Sequence, residues 1–228
     1  MPDFDEVLAR ARDDENVVGV VLSGSRGRGL HVTELSDWDA FVVVREPSGA
    51  WPQERGGLDL SEVTLERLAD PPDWARPALL GVEPTLDKTG EVAAALRRAT
   101  TADPASAAEP LDGYVNMLYR SLKNDRLGLA LASLLDAQES LPFLLAFLFA
   151  VHGRVRPYNK WLEWELERHP LPRPSNTVLL AHLGRIARSG GAEEQRTLFR
   201  EVEALAREHG LGATIDAWQP DVAFLRDG

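Results

Sequence analysis

The stretch VVGVVLSGSRGRGLHVTELSDWDAFVVV, residues 17–44, decides how the rest of the chain is read. It opens on an apolar run from Val17 to Leu22 bounded by a turn, the pattern of a buried strand over 17–23. The run breaks at Ser23-Gly24-Ser25, and the arginine-bearing segment from Arg26 to His31 is expected to be helical. Val32 to Leu35 read as a loop that delivers Ser36-Asp37-Trp38-Asp39 to a second strand over 38–45. Strand side chains alternate, so Asp37 and Asp39, at i and i+2, point to one face. Two like charges side by side are costly unless a positive charge sits between them. An oxygen-only pair of this kind suits a hard divalent cation such as magnesium. The Gly24-Ser25 turn offers backbone N–H groups to a phosphate. Together these features point to nucleotide chemistry.

Gly24-Ser25, a short helical stretch, and Asp37-x-Asp39 on the next strand resemble the nucleotidyltransferase superfamily that includes DNA polymerase beta. The bacterial branch of aminoglycoside (streptomycin/spectinomycin) adenylyltransferases and minimal nucleotidyltransferases is the most similar. The resemblance implies that Asp37 and Asp39 hold Mg2+, with two ions about 4 Å apart serving the attacking and leaving oxygens. It also implies a third carboxylate on a neighbouring strand, sharing the second ion and taking the acceptor proton. Asp59, between Leu58 and Leu60, is the expected residue, with Glu62 the alternative because Glu-Val-Thr also resembles the family's stretch. Positions 59 and 62 face opposite sides of a regular strand, so only one can serve. Gly24 and Ser25 would meet the terminal phosphates of ATP, with Arg26 and Arg28 as further candidates.

The remaining sequence supplies the setting. Net charge is −11 over 228 residues, which disfavours a nucleic-acid partner and suits a cationic small substrate. With no cysteine, disulfides and thiolate metal sites are excluded. The acidic start, MPDFDEVLARARDDE, has no signal-peptide pattern. Leu141 to Val151 is too short a run to span a bilayer, so a cytoplasmic location with no membrane partner is expected.

Periodicity predicts a helix over 3–13, a strand over 58–63 and a helix capped by Thr64. A turn or two of helix is expected over 73–80, a strand over 82–86, and a helix capped by Thr89 through Ala99. Pro47-Ser48-Gly49 and Gly56-Gly57 bracket a turn or disordered tip containing Trp51. Residues 100–110, TTADPASAAEP, have linker composition. Beyond them only helical spacing recurs, over 113–136, 139–152, 158–168, 177–188, 192–209 and 215–225. The chain therefore reads as α+β: a nucleotidyltransferase α/β domain with a mixed sheet over 1–102, then an all-α bundle over 111–228.

Two lysines of the helical half are candidates for the triphosphate. Lys123 shares a helical face with Tyr119 and Arg126. Lys160 lies in HGRVRPYNKWLEWELERHPLP, residues 152–172, which is similar to the segment closing the nucleotide site of streptomycin/spectinomycin adenylyltransferases. The expected activity is transfer of AMP from ATP to a hydroxyl of a small polar acceptor such as an aminoglycoside, in a monomer or homodimer. The alternatives are AMPylation of a protein or tRNA and a silent nucleotide-binding regulator.

Overall fold

Alternating side chains on two central strands set the layers of the first unit, Met1–Thr101. The computed structural model describes residues 4–51, 53–55 (backbone alone) and 57–227. Within these, β1 (Val17–Leu22), β2 (Trp38–Val44), β3 (Gln53–Arg55), β4 (Leu58–Thr64) and β5 (Leu86–Asp87) form one mixed sheet in the order β3-β4-β2-β1-β5. β2 and β4 run parallel, while the other pairs are antiparallel. Ala40, Val42, Val44, Leu58 and Leu60 face helix α1 (Phe4–Asp13), whose Phe4, Leu8 and Ala11 close that core. Val18, Val21 and Val43 face the opposite way, onto Leu68 of α3 (Leu65–Ala69) and Val92, Ala95 and Leu96 of α5 (Glu91–Ala99). Each large side chain so buried contributes roughly 1.5–3 kcal/mol. By the same alternation Asp39 and Asp59 fall on the α3/α5 face.

Several local expectations are corrected. Trp51 is fully buried under the Arg10 guanidinium, 4.0 Å from the ring centroid, and Gln53–Arg55 pair with β4 as an edge strand. Three residues give too little alternation to be read as a strand, and Gly56 lies outside the described residues. The helix after the glycine-serine turn is α2, Gly24–Arg28, closing at Gly29, so His31 lies beyond it. α4 covers only Arg76–Leu79. The strand expected over 82–86 is the two-residue β5, and Asp87, not Thr89, is the main cap of α5, accepting from the Thr89, Gly90 and Ala93 amides. Thr64 does cap α3, through the Arg67 amide.

The second unit, Ala102–Gly228, is helical. Pro104–Ala107 make a 3-10 turn inside the expected linker, and α6 (Ala108–Arg126) follows at once. The break between the first two long helices falls at 127–129, and α7 spans Ala130–Ala150 with Pro142 inside it. Asp136, expected at a junction, is buried in mid-helix, where it accepts from Asn124 (2.7 Å) and pairs with Arg120 (3.2 Å) on α6. α7 is long and apolar enough to cross a bilayer by length and composition, unlike the shorter run read from sequence. Its Leu144, Phe147 and Leu148 nevertheless belong to the bundle core, and a buried core helix has the same composition. After the 3-10 turn Asn159–Trp161 come α8 (Leu162–Arg168), α9 (Asn176–Ser189), α10 (Ala192–Glu208), α11 (Gly212–Asp216) and α12 (Val222–Asp227).

Candidate active site

Asp39 and Asp59 are direct partners in the parallel β2–β4 register, so both carboxylates leave the same face of adjacent strands. Asp37 stands two residues before Asp39. Burial raises the Asp39 carboxyl above the usual range, and the charges of Asp37 and Asp59 push it further the same way. Asp39 is thus subject to the charges of both Asp37 and Asp59.

The backbone around Asp39 fixes this geometry. Its carbonyl accepts from the Ser23 amide (2.8 Å) and the Ser23 hydroxyl (3.2 Å), which pins the start of β2 to the end of β1. Ser23 was not singled out from sequence, although the break in the apolar run sits there. Gly24 follows with φ +64, and a Cβ on it would stand 3.7 Å from Asp39 Oδ2, so the carboxylate packs beside the start of α2. Gly27 lets α2 fold back over β1, since a Cβ there would collide with the Leu22 carbonyl oxygen. Ser25 follows Gly24 in the first turn of α2, where helix N–H groups have no intrahelical acceptor.

The arginines of α2 are turned elsewhere. Arg26, expected at the phosphates, donates to the carbonyls of Ser36 (2.7 and 3.0 Å) and Asp37 (3.0 Å) and lies 4.4 Å from the Trp38 ring centroid. It braces the loop that carries Asp37. Arg28 donates to the carbonyls of Gly24, Pro77, Ala78 and Leu80, tying α2 to α4. Glu62 belongs to another place. Its carboxylate accepts from the Ser48 amide and hydroxyl and from the Gly49 amide. Against desolvation, which raises it, these bonds with Ser48, Gly49 and Ala50 hold its carboxyl below the usual range. That leaves Asp59 as the strand carboxylate beside Asp39.

Lys123 and Lys160 lie in the second unit. Lys123 is exposed on α6, its Nζ 5.7 Å from the Tyr119 ring centroid, and Lys160 Nζ lies 4.6 Å from that of Trp161.

Among the described residues no group of three or more acidic or histidine side chains is arranged to hold a metal ion. The donor chemistry fits magnesium all the same. That ion is usually held by one or two carboxylates, several waters and substrate phosphates rather than by an all-protein cage. A partly desolvated, like-charged trio is also a site that gains from a divalent cation.

Residues 5–86 match the nucleotidyltransferase domain family. The match runs from α1 to the start of β5 and takes in every residue of this carboxylate site. It supports the polymerase-beta-like superfamily and general nucleotidyl transfer. No curated protein matches the chain.

Proposed function

We propose that the chain is a Mg2+-dependent adenylyltransferase that moves AMP from ATP to a hydroxyl of a small polar acceptor, releasing pyrophosphate. The observation that carries this reading is the direct pairing of Asp39 with Asp59 beside Gly24-Ser25. Asp37 and Asp39 hold the metal and Asp59 shares it. Mg2+ held there would supply positive charge to offset that of the phosphates and of the pyrophosphate leaving group. Ser25 and the backbone at Gly24 hold the terminal phosphates. Asp59 accepts the acceptor hydroxyl's proton as the oxygen bonds to the α-phosphorus and the bond to pyrophosphate breaks. Arg26 keeps the Asp37 loop in place. Lys123 and Lys160 are proposed to add positive charge to the triphosphate.

An aminoglycoside is the leading acceptor. The net charge of −11 suits a polycationic, hydroxyl-rich substrate and disfavours a polyanionic one. The test is transfer of label from α-labelled ATP to a panel of aminoglycosides, tRNA and proteins, with and without Mg2+. Metal-dependent label on an aminoglycoside supports the full reading. Label on tRNA or protein replaces the acceptor but keeps the chemistry. ATP binding with no pyrophosphate formed from any acceptor rejects the enzyme in favour of a nucleotide-binding regulator.

A further inference from the structure

Arg200 and Arg207 of α10 and Arg226 of α12 are each held by a carboxylate: Glu193 for the first, Glu203 and Asp216 for the second, Glu203 for the third. Arg196, the remaining arginine of these two helices, is not. Its guanidinium lies 5.7 Å from the Phe224 ring centroid, and its Nε is buried with no hydrogen-bond partner. Arg126, exposed at the end of α6, brings a second guanidinium to the same ring, at 5.1 Å. Neither arginine is ion-paired with a described residue. Phe224 meets Tyr119 edge-on at 6.1 Å. Tyr119 lies 6.0 Å from Trp218, whose indole N–H donates to Asp112 (2.8 Å). All three rings pack against the bundle core. Lys123, about one helical turn before Arg126, holds its Nζ 5.7 Å from the Tyr119 ring centroid.

We infer that Arg126 and Arg196, with Lys123 beside them, form a binding site for a phosphate-bearing anion on the second unit. A ring contact contributes only about 0.5–1 kcal/mol at an exposed position, and it uses none of a guanidinium's N–H donors. It does hold the planar fork in place, so little freedom remains to be lost when an oxyanion arrives. Two like charges over one ring gain nothing from each other, and a chain of net charge −11 has carboxylates to spare for neutralising them. An anion that bridges the two forks explains why neither is neutralised from within. The buried Arg196 Nε has the same need, since a buried donor without an acceptor is costly. Arginine forks match phosphate oxygens, and the flexible Lys123 adds a point charge. The inference joins two arginines to the phosphate role proposed for Lys123 and depends on none of Asp37, Asp39 and Asp59.

The test titrates the full chain calorimetrically, without metal and at fixed ionic strength, with inorganic tripolyphosphate, ATP and citrate. Without metal the donor-site carboxylates repel phosphate, so failure of the donor-site reading and failure of this one are separable. Arg126→Gln and Arg196→Gln should each weaken tripolyphosphate binding about tenfold, the weight of one charge-assisted contact, and the two together should abolish it. Arg97→Gln, which removes the same charge from an exposed position on α5, should change nothing. A thermal midpoint that rises with tripolyphosphate in the wild type and not in the double variant gives the same answer by a second route. Arg126 is exposed, so Arg126→Gln decides the matter if Arg196→Gln weakens the fold. ATP weakened in parallel identifies a nucleotide's phosphate chain as the ligand, and tripolyphosphate weakened alone identifies a free oligophosphate; both support the site. No binding by the wild type, equal binding of citrate, an equal loss in Arg97→Gln, or full affinity in both single variants overturns it.

Discussion

Asp39 and Asp59 stand opposite each other across two parallel strands, with Asp37 two residues before Asp39 and close enough for its charge to act on it. This arrangement places like charges together where apolar packing surrounds the rest of the sheet. With no metal, Asp39 holds its proton more tightly in the folded than in the unfolded chain. Its contribution to stability is therefore most favourable at low pH and declines as pH rises from the ordinary carboxylate value through the raised one. Asp39→Asn should raise the metal-free thermal midpoint at pH 7, by an amount equivalent to about 1 kcal/mol or less, while abolishing Mg2+-dependent turnover. Differential scanning fluorimetry and a pyrophosphate assay measure the two effects.

Metal binding should carry the same signature. Mg2+ and protons compete for Asp39, so affinity is expected to fall as pH drops through its raised pKa and to level off above it. Calorimetric Mg2+ titrations across a pH series give the curve. A flat profile would place the ion elsewhere.

Asp59 and Glu62 separate function from support on one strand. Asp59→Asn should cost at least 100-fold in turnover, the usual weight of a general base, and leave the thermal midpoint nearly unchanged. Glu62→Gln should destabilise the fold by about 1 kcal/mol through weakened bonds to the 48–50 turn, with turnover kept. That stability belongs to the ionised Glu62. It is present above the unfolded pKa and is lost as pH falls through the lowered folded one. Urea unfolding of both variants at pH 7 and pH 4 tests the contrast.

Gly27 is expected to tolerate no side chain. Gly27→Ala drives a methyl into the Leu22 carbonyl oxygen and should cost roughly 1–3 kcal/mol while displacing the Gly24-Ser25 turn. Urea unfolding reports the first effect and ATP affinity the second.

The sequence made the central strands and the acidic site legible because both are local. Val17 to Leu22 and Ala40 to Val44 are apolar runs bounded by polar turns, and Asp37-x-Asp39 states its own period. The choice between Asp59 and Glu62 was not local. It depends on which side chain the 48–50 turn captures, a contact across 14 residues. The roles of Arg26 and Arg28 were hidden for a similar reason. An arginine in a polar turn looks solvated until its acceptor carbonyls, up to 52 residues away, are known. The helix break at 127–129 was missed because apolar spacing continues through Leu127-Gly128-Leu129 from one helix into the next. Leu135 and Leu131, exposed on α7, add to that continuity and carry no sign of where a helix begins.

The most direct measurement is the affinity of a non-hydrolysable ATP analogue with and without Mg2+, for the wild type and for Asp37→Asn and Asp39→Asn. Magnesium should tighten wild-type binding at least tenfold, and each substitution should remove that gain while the protein stays folded. Equal affinity with and without the metal, or full magnesium dependence in both variants, would contradict a donor site built on these carboxylates.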